Sequence, residues 1–145
     1  MVITTSFGTS LPAALVVNAA APSILVDLNT NRAIAFNQDG SFNGLDNPAR
    51  PGSVVTVYLT GQGAVANAPA NGTPAAGPSA ALLSTSAQVG KAAAVLQYLG
   101  LTPGVVGLGQ ANVVIPALPA SEYPLVINVN GMASNWATIS VGVKP

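Results

Sequence analysis

Between residues 53 and 60, apolar and polar side chains alternate with a period of two. Val55, Val57 and Leu59 share one parity, and Val54, Thr56, Tyr58 and Thr60 share the other. This alternation, rich in β-branched residues, predicts a strand with one face more apolar than the other. The stretch NPARPGSVVTVYLTGQG shows why the strand is short. Pro51-Gly52 closes it on one side and Gly61-Gln62-Gly63 on the other. Proline donates no ladder hydrogen bond, and glycine tolerates turn dihedrals.

The same pattern recurs along the chain. Strands are expected at 2–7 (VITTSF), 11–17 (LPAALVV), 23–27 (SILVD), 32–37 (RAIAFN), 111–115 (ANVVI), 123–129 (YPLVINV) and 134–143 (SNWATISVGV). Residues 92–99, AAAVLQYL, have a composition that suits a helix, but the segment is short and Gly90 and Gly100 bracket it, which favours a strand. Asp39-Gly40 and Asn130-Gly131 are turn signals, and the second is the strongest hairpin signal in the chain. Residues 64–80, rich in Ala, Pro, Gly and Asn, read as a long loop, because neither flank can build a core alone. Seven to nine short antiparallel strands and no convincing helix predict an all-β sandwich. The expected organisation is an N-terminal strand or extension over 1–17, followed by one sandwich over 18–145.

In order, AAPSIL, NQDGSFN, NPARPGSVVTVYLTGQG, GLTPGVVGLGQANVVIP and VINVNGMASNWATISV carry a resemblance. The chain resembles a family of domains of unassigned function at the C-terminal ends of large secreted acidobacterial proteins. That family is immunoglobulin-like, close to the IPT/TIG type of β-sandwich. The likeness covers roughly residues 18–143. It implies an immunoglobulin-like fold, secretion and a structural or adhesive role. It brings no catalytic or ligand-binding residues to carry over.

Composition sharpens the picture. The 145 residues suit one domain. Only 6% of side chains are charged, against about 25% in an ordinary soluble domain. They are Asp27, Arg32, Asp39, Asp46, Arg50, Lys91, Glu122 and Lys144, with a net charge of zero. Nucleic-acid binding needs a basic footprint, which is missing. No apolar run reaches the ~18–20 residues of a membrane-spanning helix. The opening residues lack the positive region of a signal peptide, so 1–17 are expected to belong to the folded object. There is no Cys and no His. Disulfides, thiolate metal sites and the commonest general base are therefore excluded.

Little else points to catalysis. Asp27, Asp39, Asp46 and Glu122 are the carboxylates available to an acid–base pair, and nothing in their spacing makes two converge. The G-x-G patterns at Gly61–Gly63 and Gly107–Gly109 open no helix within a βαβ unit and read as strand ends. No enzyme is expected, and no cofactor. Residues 37–43, NQDGSFN, place oxygens at alternate positions around a glycine, as in the first half of a calcium loop. The closing bidentate Glu is missing, and a hairpin stabilised by Asp39 accounts for the same residues.

Interaction surfaces remain. With Ala137, Ile139, Val141 and Val143 inward, Trp136 faces outward with Ser134, Thr138 and Ser140, where it would anchor a protein contact or a sugar. Reversed parity or a covering loop would bury it instead. Non-core positions such as Val54, Thr56, Tyr58 and Thr60 carry no charge, and a neutral β surface favours self-association. In the N-terminal segment Leu11, Ala13, Leu15 and Val17 alternate. That segment can pair within its own sandwich, or it can add to the sheet edge of a neighbouring copy. The expected function is a secreted, non-catalytic structural protein that polymerises with copies of itself through strand addition and neutral surfaces. The alternative is an adhesion module for a polysaccharide or cell-surface protein.

Overall fold

The computed structural model describes residues 1–143; Lys144 lies outside them. Among the described residues there are twelve strands and no helix, so the fold is all-β as expected. A two-residue pair, β1 (Thr4–Thr5) and β2 (Gly8–Thr9), forms a hairpin of its own. The other ten strands form one sheet. They are β3 (Ser23–Ile24), β4 (Ala35–Asn37), β5 (Val54–Thr60), β6 (Ser79–Ala80), β7 (Thr85–Val89), β8 (Ala92–Leu101), β9 (Gly109–Val114), β10 (Ser121–Val129), β11 (Met132–Ala133) and β12 (Ala137–Val141).

This sheet is sandwich-like because β8 belongs to two halves. Its first residues, Ala92 to Ala94, pair with β7, and Val95 to Leu101 pair with β9. An irregularity between Leu96 and Tyr98 marks the change. One half then runs β8-β9-β5 with β3 and β4 on the far side of β5, and the other runs β8-β7-β10 with β11 and β12 on β10. Both halves feed one core. Val55, Val57 and Leu59 of β5 lie against Ala111 and Val113 of β9, Leu125, Ile127 and Val129 of β10, and Ala137, Ile139 and Val141 of β12. A one-residue slip of β5 would expose its three apolar residues and bury Thr56 and Tyr58, so the hydrophobic alternation fixes the register. No aromatic ring is among the buried residues.

The stop after β5 has a steric cause. Gly61 has φ +75°, and a Cβ there would lie 1.8 Å from the Ala21 carbonyl oxygen. The Gly61 carbonyl accepts the Ala21 N–H at 2.9 Å. Only glycine permits that approach. The Asn130-Gly131 turn forms as expected, with φ of 51° and 78°, the type I′ signature.

Several expectations need correction. Residues 11–17 form no strand, and 2–7 contribute only β1. Segment 134–143 is strand only from Ala137 to Val141, and Val143 is 69% exposed rather than in the core. β7 was not foreseen, because TSAQV offers just two apolar residues at the right spacing.

The outer edge of β12 shows how main chain and carboxamides close the fold. Main chain covers this edge at two places. Thr138 N–H donates to the Asn31 carbonyl and Ala33 N–H to the Thr138 carbonyl, both at 2.9 Å; further on, Gly142 N–H donates to Ala49. Ser140 falls between, and the Ala49 N–H reaches its carbonyl at 2.9 Å. The Ser140 N–H donates to Oδ1 of the fully buried Asn43 at 2.8 Å, and Asn43 Nδ2 returns a bond to the Ser140 carbonyl at 2.9 Å. The carboxamide stands in for a strand residue. Asn135 does the same for β3, accepting from Ile24 N–H at 2.8 Å and donating to its carbonyl at 3.1 Å.

Asn43→Ala leaves the Ser140 N–H without an acceptor and is expected to lower unfolding free energy by about 1–3 kcal/mol. Asn29→Ala, on an exposed turn, should stay within about 0.5 kcal/mol of the parent. Urea denaturation of the two variants beside the parent checks both values.

Candidate functional site

The outward parity of β5 and β9 gathers rings and amides on one face. Register sets the rows. Val54, Val114 and Val95 lie across three strands in one row. Phe36, Thr56, Asn112 and Tyr98 make the next. Tyr58 and Gln110 face each other in the third. Phe42 reaches the same face because the turn at Asp39-Gly40 folds it across from Phe36. The Phe36 ring packs edge-on against Phe42, with centroids 5.4 Å apart, and against Tyr58 at 6.1 Å. Such contacts favour a fixed ring arrangement.

Polar groups sit beside these rings. Asn112 Oδ1 accepts from Thr56 Oγ1 at 3.2 Å and from Gln110 Nε2 at 3.3 Å. The amide orientations are thereby set. Asn112 Nδ2, Gln110 Oε1 and the Tyr58 hydroxyl have no hydrogen-bond partner among the described residues. No charged side chain occupies any of the rows. Tyr98 is differently employed: its hydroxyl donates to the Leu101 carbonyl at 2.8 Å and accepts the Ser79 N–H at 3.1 Å.

Of the interface candidates drawn from the sequence, Tyr58 belongs to this face, beside the outward Val54 and Thr56. Trp136 lies just before β12 and is 59% exposed, but Ser140, expected to face outward with it, is buried. Trp136 makes no ring contact among the described residues. Leu11, Ala13, Leu15 and Val17 are all exposed. Their segment makes local bonds instead, Ser10 N–H to Ile3 and Ala13 N–H to Met1, each 2.9 Å. Among the described residues no β-bridge joins 1–19 to the large sheet.

Phe36, Phe42, Gln110 and Asn112 were missed. A signal existed: Phe36 and Phe42 are equidistant from Asp39, so a hairpin there sets them opposite each other. Gln110 and Asn112 share the polar parity of a strand whose other parity is Ala111 and Val113.

The carboxylates serve separate local structures. Glu122 pairs with Arg32, which also donates to Ser140 Oγ at 2.8 Å. Asp39 Oδ1 accepts from the N–H and hydroxyl of Ser41 at 2.9 and 2.6 Å. A cleft of about 440 Å³ beside it is lined by Asn37, Asp39, Asn47 and Arg50 among others. There the Asn37 Oδ1 that a cation would want accepts from Asn43, and Gln38 Oε1 accepts from Val54 N–H. Among the described residues no three acidic side chains group as metal ligands. Asp46 is exposed.

Asp27 caps a turn. The N–H groups of Asn29 and Thr30, then the Thr30 hydroxyl, hold its carboxyl below the usual value of 3.8. A lowered folded value stabilises above the unfolded pKa and is lost as pH falls through the folded one. Asp27→Asn should therefore lose less stability than the parent as pH falls below about 4. Thermal unfolding across that range checks it, and parallel curves would count against the cap. Comparison of the chain with protein-family models, curated proteins and solved structures found no match.

Proposed function

We propose that this chain is a secreted, non-catalytic structural protein with an immunoglobulin-like, IPT/TIG-type sandwich, which assembles with copies of itself into an extracellular filament or surface layer. Residues 11–17 are the strand that each copy adds to its neighbour. One observation carries this reading. Leu11, Leu15 and Val17 are 88%, 60% and 90% exposed, and their segment is outside the large sheet. Exposed apolar side chains on a segment outside any sheet find partners by adding to the sheet edge of another copy. Addition from head to tail propagates without closing, and so gives a filament. The neutral outward faces support the same reading, because few like charges hold copies apart.

A binding module is the second reading, favoured by the exposed and solitary Trp136 ring. In that case the ring anchors a partner, and Trp136→Ala weakens capture of it.

Deleting residues 2–17 should abolish polymer seen by electron microscopy and light scattering, while circular dichroism keeps its β signature. Leu15→Asp with Val17→Asp should do the same without shortening the chain. A parent that stays monomeric at high concentration would contradict assembly. Polymer that survives both changes would contradict strand donation.

A further inference from the structure

We propose that the outward face of β4, β5 and β9 is a binding platform for a neutral polysaccharide, with Tyr58, Phe36 and Phe42 as its rings and Asn112 and Gln110 as its hydrogen-bonding groups. This site differs from residues 11–17 and from Trp136, and it stands whether or not the chain polymerises.

Three observations support it. First, no Phe, Tyr or Trp is fully buried, and of the rings only Tyr123 packs against the core among the described residues. Aromatic side chains ordinarily dominate cores and interfaces. Here Phe36 lies 5.4 Å from Phe42 and 6.1 Å from Tyr58 on an outer face, where Phe36 and Phe42 are 36% and 43% exposed. Second, the polar groups next to them are oriented yet unsatisfied. Asn112 Oδ1 is engaged by Thr56 and Gln110, which leaves a donor at Asn112 Nδ2, an acceptor at Gln110 Oε1 and a hydroxyl at Tyr58. Third, the rows contain no charge.

The occupant must match all three. A sugar ring has an apolar C–H face that lies against aromatic rings and a rim of hydroxyls that both donate and accept. Neutral hexoses add no charge for the face to balance. A charged glycan would bring anions to a surface with no cation in its rows. A second copy fits less well. Asn112 and Thr56 lie in the middle row, where a protein contact is driest, and covering them with apolar surface would desolvate polar groups without replacing their bonds. A hydroxyl-bearing chain replaces those bonds.

The experiment uses the full chain in native affinity gels containing hydroxyethyl cellulose, xyloglucan, galactomannan or dextran, with alginate as an anionic comparison, followed by titration calorimetry. Retardation by at least one neutral polymer and none by alginate is expected. Tyr58→Ala and Asn112→Ala should each weaken binding about tenfold, while Trp136→Ala leaves it unchanged. Asn112 carries no core packing, so Asn112→Ala keeps the test valid if Tyr58→Ala fails to fold. No retardation by any neutral polymer would overturn the proposal, as would retardation lost only in Trp136→Ala. A concentration-dependent dimer that Asn112→Ala disrupts, without glycan binding, would assign the face to a second copy and also overturn it.

Discussion

Backbone groups at the edge of a sheet must be satisfied, and this chain has almost no ions with which to do it. The buried carboxamide of Asn43 is the device on which the rest depends. It accepts the Ser140 N–H, which neither 31–33 nor 49 meets, and shares the Ser140 carbonyl with the Ala49 N–H. With that gap filled, β12 is paired along both sides, and its Ala137, Ile139 and Val141 are held in the core. Asn43 also donates to Asn37 Oδ1 at 3.0 Å, and Asn37 Nδ2 reaches the Asn47 carbonyl at 2.8 Å. One amide network therefore ties the hairpin that carries Phe36 and Phe42 to the opposite half of the sheet. A buried polar network of this kind, fully bonded, fixes one arrangement of the parts around it.

Function follows from the same economy. Edges closed by amides leave the outer faces to neutral residues. On one face the neutral residues are rings beside oriented amides; on another they are small, with a single Arg32–Glu122 pair. Surfaces of this sort are suited to being covered, by copies of the chain or by uncharged polymers, and the two uses draw on different residues. In the proposed reading, residues 11–17 connect copies, and the face of β4, β5 and β9 contacts an uncharged polymer.

Much of the fold was legible because it rests on local chemistry. The alternation over 53–60 and the glycines and prolines around it gave β5, and Asn130-Gly131 gave its hairpin. Gly90 and Gly100 correctly argued for strand in the alanine-rich 92–99, although the strand runs on to Leu101. β7 escaped because its apolar positions, Ala87 and Val89, gain meaning only from pairing with β8 and β10. The bridging role of Asn43 was invisible for a similar reason: 97 residues separate it from Ser140. Residues 11–17 alternate like a strand, yet Pro12 and the lack of a partner in the large sheet leave them outside it. Of the site, Tyr58 could be read from parity, whereas the ring cluster needed the strand register.

Native-state hydrogen exchange by NMR tests the central claim most directly. If carboxamides complete the edges, the amides of Ser140 and Ile24 exchange as slowly as those in the middle of β5. Replacing Asn135 with Ala then accelerates Ile24 while Ser140 stays slow. Rapid exchange at both amides in the unaltered protein, at the rate of exposed loop residues, would show that the edges are open and would contradict the account.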